Sequence, residues 1–171
     1  GDVWVTDRGS HQVLKFSPEG KLLLEIGKKG VAGDNTSIDA LNGPSDLVFA
    51  PNGDFFVSDG ESTNARIVKY SKDGKFVKFW GTKGAGPGEL EVPHSIAMDS
   101  RGRLYVANRT NKRIEVFDQD GHFLSQIRNA GTPYVSSDGC GRRRQRGRSP
   151  TSIVSCGPSA PHAGPAAAAT L

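Results

Sequence analysis

The chain has 171 residues and a formal charge of +4, yet the excess is local: five Arg and a single acid, Asp138, follow Thr132, leaving seventeen basic and seventeen acidic residues before it. A neutral body argues against a nucleic-acid surface, which needs clustered Lys and Arg; Lys21, Lys69, Lys72, Lys75 and Lys78 sit in turns or alternate positions beside acids, as solvated edges do. The length suits one domain, and no transmembrane segment is expected.

Gly1 to Gly27 reads as three strands, VWVTD, QVLKF and KLLLEIG, with Val3 and Val5 alternating with Trp4, the pattern of strands packed on both faces. Any targeting signal of the intact protein is expected to lie outside these residues. The next stretch, KKGVAGDNTSIDALNG, is rich in Gly, Asn and Asp. Loops of this length are functional or exposed insertions, and a variable surface loop is expected here in preference to a ligand gate. From Pro44 to Trp80 four strands follow, PSDLVF, DFFVSD, ARIVKY and KFVKFW, separated by Asn-, Asp- and Gly-rich turns. The glycines of GTKGAGPGELEVP do not lead into a helix, because Pro87 interrupts them and a strand follows. They form an inter-repeat turn, not a phosphate cradle. Gly88 to Ile127 supplies HSIAM, RLYVA, RIEVF and HFLSQI, again with tight-turn punctuation.

These stretches are copies of one unit. PSDLVF aligns with PHSIAM, GDFFVSD with GRLYVAN, ARIVKY with KRIEVF and DGKFVKF with DGHFLSQ; the opening residues form a third copy that lacks its first strand. Asp7, Asp59 and Asn108 recur at spacings of 52 and 49, and Pro44 and Pro93 at 49. Four strands per repeat of that length is the pattern of a β-propeller blade, whereas no window sustains the 3.6-residue period that helical repeats need. The expected fold is all-β: a partial β-propeller of fewer than three four-stranded blades over 1–131. An arc of blades leaves apolar faces open, so remaining blades or an oligomeric partner are expected to cover them. Asp7, Asp59 and Asn108, at the ends of second strands, are expected to cap the turns that follow.

The blade pattern resembles the NHL repeat, through GAGPGELEVPHSIAMD, GRLYVAN, NKRIEVFD and DGHFL. Within that superfamily it is similar to the peptidylglycine α-amidating lyase-like propellers, through VWVTDRGSHQVLKF, PSDLVF, FFVSDG, RIVKYSKDGKFVKFWG and VPHSIAM. The resemblance implies a secreted or periplasmic setting, although no residue here fixes a compartment. It also implies that His94, in its VPH setting, is one of three histidines from different blades that hold a catalytic zinc, a site with room for a substrate in the fourth position. The alternative is a channel-lining, hydrogen-bonded His94. Equivalent positions in the neighbouring repeats are Ser45 and Tyr134, so this chain is not expected to build the zinc site alone. The lyases carry a catalytic Tyr after SDG where Glu61 stands here; no Cys lies in ESTNAR or at Asn42 and Gly43, and the family's essential Arg would fall upstream of the sequence. His11 and His122 read as exposed turn residues.

The reading is therefore a binding or scaffold module that takes a peptide, protein or small-molecule ligand on the propeller face and is not catalytic by itself. The alternative is part of a zinc-dependent amidating lyase-like enzyme. Residues 132–171 form a second region. TPYV begins like a new blade, but CGRRRQRGRSPTSIVSCGPSAPHAGPAAAATL is low-complexity and rich in Arg, Ala, Pro and Gly. Such a mixture is expected to be disordered, or to come from a reading frame that slips near Val135. Within it Cys140 and Cys156 could form a disulfide, and the Arg cluster could meet nucleic acid or an anionic membrane.

Overall fold

The computed structural model describes residues 1–136 and the short strand Ser152–Val154. Of the tail expected to be disordered, Tyr134–Ser136 and Ser152–Val154 are strands instead; the rest of it beyond 136, with the Cys140 and Cys156 pairing and the Arg cluster, lies outside the described residues. No helix among the described residues is long and apolar enough to cross a membrane.

Every expected strand forms. The first repeat supplies β1 (Val3–Asp7), β2 (Gln12–Phe16) and β3 (Leu22–Ile26) in one antiparallel sheet. The second supplies β4 (Pro44–Phe49), β5 (Phe55–Asp59), β6 (Arg66–Tyr70) and β7 (Phe76–Trp80), and the third β8 (Pro93–Met98), β9 (Leu104–Asn108), β10 (Arg113–Phe117) and β11 (Phe123–Ile127), each a four-stranded antiparallel meander. Tyr134–Ser136, β12, packs beside β8 as the start of a further blade. Ser152–Val154, β13, pairs with β12 in parallel. The first strands β4, β8 and β12 thus line the inner rim, and each sheet runs outward from it.

The blades stack through two apolar layers, and alternation along β5 shows why. Phe55 and Val57 point toward the first blade, with Val13, Ile26, Leu41, Val68 and Tyr70, while Phe56 points toward the third, with Val48, Ile67, Ile96, Leu104, Val106 and Phe117. A strand buried on both faces has no polar face to show, hence the unbroken FFV. Trp80 bridges the second layer, edge-on to Phe56 at 6.0 Å and tilted against Phe117 at 6.1 Å. Each such ring removes enough apolar surface from water to contribute about 1.5–3 kcal/mol. On the free side of the first blade Val3 and Val5 remain exposed.

Two register irregularities recur and matter for the rim. The pairing of β4 with β5 skips Ser45, and that of β8 with β9 skips His94, so both are bulge residues one position after a proline. A bulge re-aims the side chain it carries, here at the inner rim.

The structure refines three sequence expectations. The 27–43 loop lies at the surface, with residues such as Val31 and Ile38 exposed, but is clamped from within: Leu41 and Asn42 are buried, and the fully buried Arg66 donates to the carbonyls of Asn35 (3.1 Å), Ser37 (2.7 Å) and Ala40 (2.8 Å). Asp7 does cap its own turn, accepting from Gly9 and Ser10 N–H. Asp59 and Asn108 meet the connection that follows only through side chains, accepting from Asn64 Nδ2 at 2.9 Å and Asn111 Nδ2 at 3.1 Å, and also turn back to the loop that enters their blade, accepting from Asn42 N at 2.7 Å and Glu91 N at 2.7 Å. His11 is half-buried, with φ 62°, and its Nδ1 accepts from Gly43 N at 3.2 Å. His122 is exposed as expected and pairs with Asp118.

Candidate functional site

The end of β5 and the start of β8 meet at the rim. Gly60 has no room for a Cβ, which would lie 2.3 Å from Pro93 Cδ, so glycine is what lets the two blades close here. The next residue is pinned by Glu61 N donating to Gly43 O at 2.9 Å. Its carboxylate therefore enters the crevice between blades, with a side chain only 6% exposed.

Two repeats converge on that carboxylate of the second. From the third, His94 Nδ1 lies 2.6 Å from Oε1 and Arg109 Nη2 3.4 Å from Oε2. From the first, Arg8 Nη1 donates to Oε2 at 3.3 Å. At 2.6 Å from a carboxylate oxygen Nδ1 has to carry the proton and donate, which leaves Nε2 as the acceptor nitrogen of the neutral ring. Arg109 Nη1 stands 3.4 Å from the same Nδ1. The Tyr134 ring meets the imidazole edge-on at 6.2 Å.

Glu61 is thus saturated, while its partners still face solvent: the side chains of Arg8, Arg109 and His94 are 65%, 38% and 32% exposed. One buried carboxylate orients two guanidinium groups and an imidazole, leaving a net positive surface. Two planar donor forks held this way suit a carboxylate or another oxyanion.

Of the sequence candidates, His94 sits at the centre of the cluster, Ser45 one blade away donates to Pro93 O at 3.1 Å, and Tyr134 borders His94. His11 is engaged with Gly43 and His122 lies at an outer hairpin, so neither joins His94. Among the described residues no three His, Cys, Asp or Glu side chains are placed to hold one metal ion. These residues therefore do not by themselves fit a three-histidine zinc site. Sequence reasoning marked Glu61 only as a departure and did not single out Arg8 or Arg109. A signal for them existed: each follows the recurrent Asp7 or Asn108 by one residue, where the middle repeat has Gly60.

Comparison with known proteins places the repeat. A family model described as the NHL repeat matches residues 90–117. The chain carries an NHL repeat. Human NHL repeat-containing protein 3 is 38% identical over 136 residues, 76% of this chain and 39% of that protein. A Caenorhabditis elegans protein named as a probable peptidyl-alpha-hydroxyglycine alpha-amidating lyase is 34% identical over 146 residues, 83% of this chain and 41% of that one. The chain thus spans about two fifths of the length of these two relatives. A solved streptogramin B lyase superposes with a TM-score of 0.60 at 20% identity, over 81% of this chain and 42% of that structure, a likeness that carries the β-propeller fold alone.

Proposed function

We propose that the chain is a ligand-binding arc of an NHL propeller, whose inner rim takes a ligand bearing a free carboxylate, such as a peptide C-terminus, and which is not catalytic by itself. The observation that supports this is the convergence of Arg8, His94 and Arg109, from two blades, on the single buried carboxylate of Glu61. Two guanidinium groups against one carboxylate leave charge for a ligand to neutralise, and Glu61 holds the donors in place beforehand, which reduces the ordering cost of binding. A relative named for a peptidyl substrate makes a peptide the natural ligand class. The test is fluorescence anisotropy of one labelled peptide in two forms, C-terminal acid and C-terminal amide. The acid form is expected to bind at least about tenfold tighter, and Arg109→Ala to remove the difference. Equal affinities for acid and amide would refute the reading.

A second reading, a zinc-dependent amidating lyase-like protein, has one observation in its favour. The Nδ1–H of His94 is held by a carboxylate, the arrangement that orients metal-bound imidazoles and frees Nε2. The remaining ligands would come from segments other than those described. Zinc stoichiometry of the full-length repeat protein, with and without His94→Ala, decides it: absence of metal in both sinks this reading.

A further inference from the structure

A second departure from the repeat lies at the outer end of the third blade, on the crevice between the loop entering it and the strand leaving it. Register places Gly81 and Arg128 at one repeat position, since Ile67 pairs with Trp80 and Ile114 with Ile127. It likewise places Ala65 and Lys112 together, one residue before Arg66 and Arg113.

In the middle blade this spot is filled. Asn35 reaches into it, with Nδ2 donating to Gly81 O at 3.0 Å and Oδ1 accepting from Ala65 N at 2.8 Å. Gly81 is required there, because a Cβ would stand 2.7 Å from Ala65 O. In the third blade the entering loop runs from 81 to 92, against 27 to 43 in the second, and at the corresponding point reads Gly84-Ala85-Gly86. It offers no side chain to fill the spot. The strand exit is re-routed as well: Asn129 takes the left-handed conformation, φ 57°, and Ala130 N donates to Lys112 O at 2.9 Å. Glycine is no longer needed, and Arg128 stands in its place.

The result is a cavity of about 350 Å³ lined by Ala85, Asn111, Lys112, Arg113, Arg128 and Asn129, with no acidic residue among them. The Arg113 guanidinium is spent on the carbonyls of Ala85, Gly86 and Glu89 and on Glu115. The cations left to face the cavity are Lys112 and Arg128. Arg128 is oriented from behind, because Nε and Nη2 donate to the Gln126 side-chain oxygen at 2.9 and 2.7 Å once that amide is turned to satisfy its hydrogen bonds. Lys112 is held with φ 52°, a conformation that an unbranched residue away from glycine seldom adopts without cause.

We propose that this cavity is a binding site for a small phosphate-bearing ligand. The two cations in the lining match the double charge of a phosphate monoester near neutral pH, the Arg128 N–H groups not taken by Gln126 can donate to its oxygens, and Asn129 adds a neutral hydrogen-bonding group. The volume admits a phosphate with a few attached atoms, at the small end of ligand pockets. The site is separate from the Glu61 cluster and does not depend on the function proposed for it.

The test is calorimetric titration of the full chain with inorganic phosphate, with glycerol phosphate and with acetate, at fixed ionic strength. Saturable binding of both phosphates and none of acetate is expected. Arg128→Gly and Lys112→Asn should each weaken phosphate about tenfold, whereas Lys29→Ala, which removes the same charge from an exposed loop, should not. Arg128→Gly restores the residue of the earlier repeats, and Asn tolerates the left-handed backbone at position 112, so both variants are expected to fold; unchanged circular dichroism checks this. Binding of glycerol phosphate but not phosphate would still support a site for the ester. Absence of saturable binding, binding untouched by both variants, or preference for a single-stranded RNA with steep salt dependence would each overturn the proposal.

Discussion

At the end of its second strand the middle blade carries Asp59 and the third carries Asn108, and both side chains reach back to the loop entering their own blade. Beyond that shared anchor the two blades diverge. The middle one continues Gly60-Glu61 and carries Ser45 after the proline that opens its inner strand, whereas the third continues Arg109-Thr110 and carries His94 there. The shared positions hold carbonyls, turns and apolar layers together. The differing ones gather at the inner rim and at the crevice beside Lys112 and Arg128. Architecture in this chain lies in what the repeats share, and chemistry in how they depart from one another.

The anchors offer the sharpest way to break that comparison. Asp59 is fully buried and pairs with a fully buried Arg66 at 2.8 Å, so Asp59→Ala strands a guanidinium and is expected to cost about 3–5 kcal/mol. Asn108→Ala at the equivalent position removes the hydrogen bonds of a neutral amide, one of them to the Glu115 carboxyl, but strands no ion-pair partner, and should cost about 1–3 kcal/mol. Chemical denaturation of the two variants checks the order; equal losses would show that the anchors are not distinguished by charge.

A smaller effect separates the blades by pH. Burial raises the Glu115 carboxyl above its ordinary value of 4.5, with Arg113 opposing the shift. A carboxyl whose pKa is raised in the fold binds protons more tightly there than in the unfolded chain, so its contribution is complete below pH 4.5 and declines as pH rises through the raised value. Asp34, in the loop entering the middle blade, has the opposite sign. Hydrogen bonds from Thr36 and Ser37 lower it from 3.8 to about 2, so its contribution is present above 3.8 and lost as pH falls toward 2. Melting curves of Glu115→Gln should therefore lose pH dependence above pH 4.5, and those of Asp34→Asn below 3.8.

The smallest expected change is at an exposed ion pair. Lys28 and Asp39 pair on the surface of the 27–43 loop, and Asp39→Asn should leave the melting temperature unaltered, because such pairs are screened by solvent. The same loop ought to be sensitive at Arg66, which holds it from inside.

The blades were legible in the sequence because each carries its own local evidence. Alternation in VWV, doubly buried runs such as FFV, and hairpin glycines such as Gly74 and Gly121, both at positive φ, fix strands and turns over a few residues. His94 was legible through its place after Pro93 in a recurring pattern. The rest of the rim was not, because Arg8, Glu61 and Arg109 are brought together only by the stacking of blades, across separations of 53 and 48 residues. The same holds for His11, which looks like a turn residue until the next blade places Gly43 N against it. Lys112 and Arg128 were read as neither site nor structure, since their significance rests on Ala65, Gly81 and Asn35 occupying the equivalent spot one repeat earlier.

The most direct test of the rim as a site made from departures is to revert them together. In a chain carrying Arg8→Gly, His94→Ser and Arg109→Gly, the third blade takes the residues of the middle one, and the first takes its glycine. Peptide-acid anisotropy and thermal melting would be measured on that chain and on the wild type. Acid-specific binding is expected to disappear and the melting temperature to fall, because Glu61 loses its three partners, while unfolding stays cooperative. Retained binding, or a fold that no longer melts cooperatively, would contradict it.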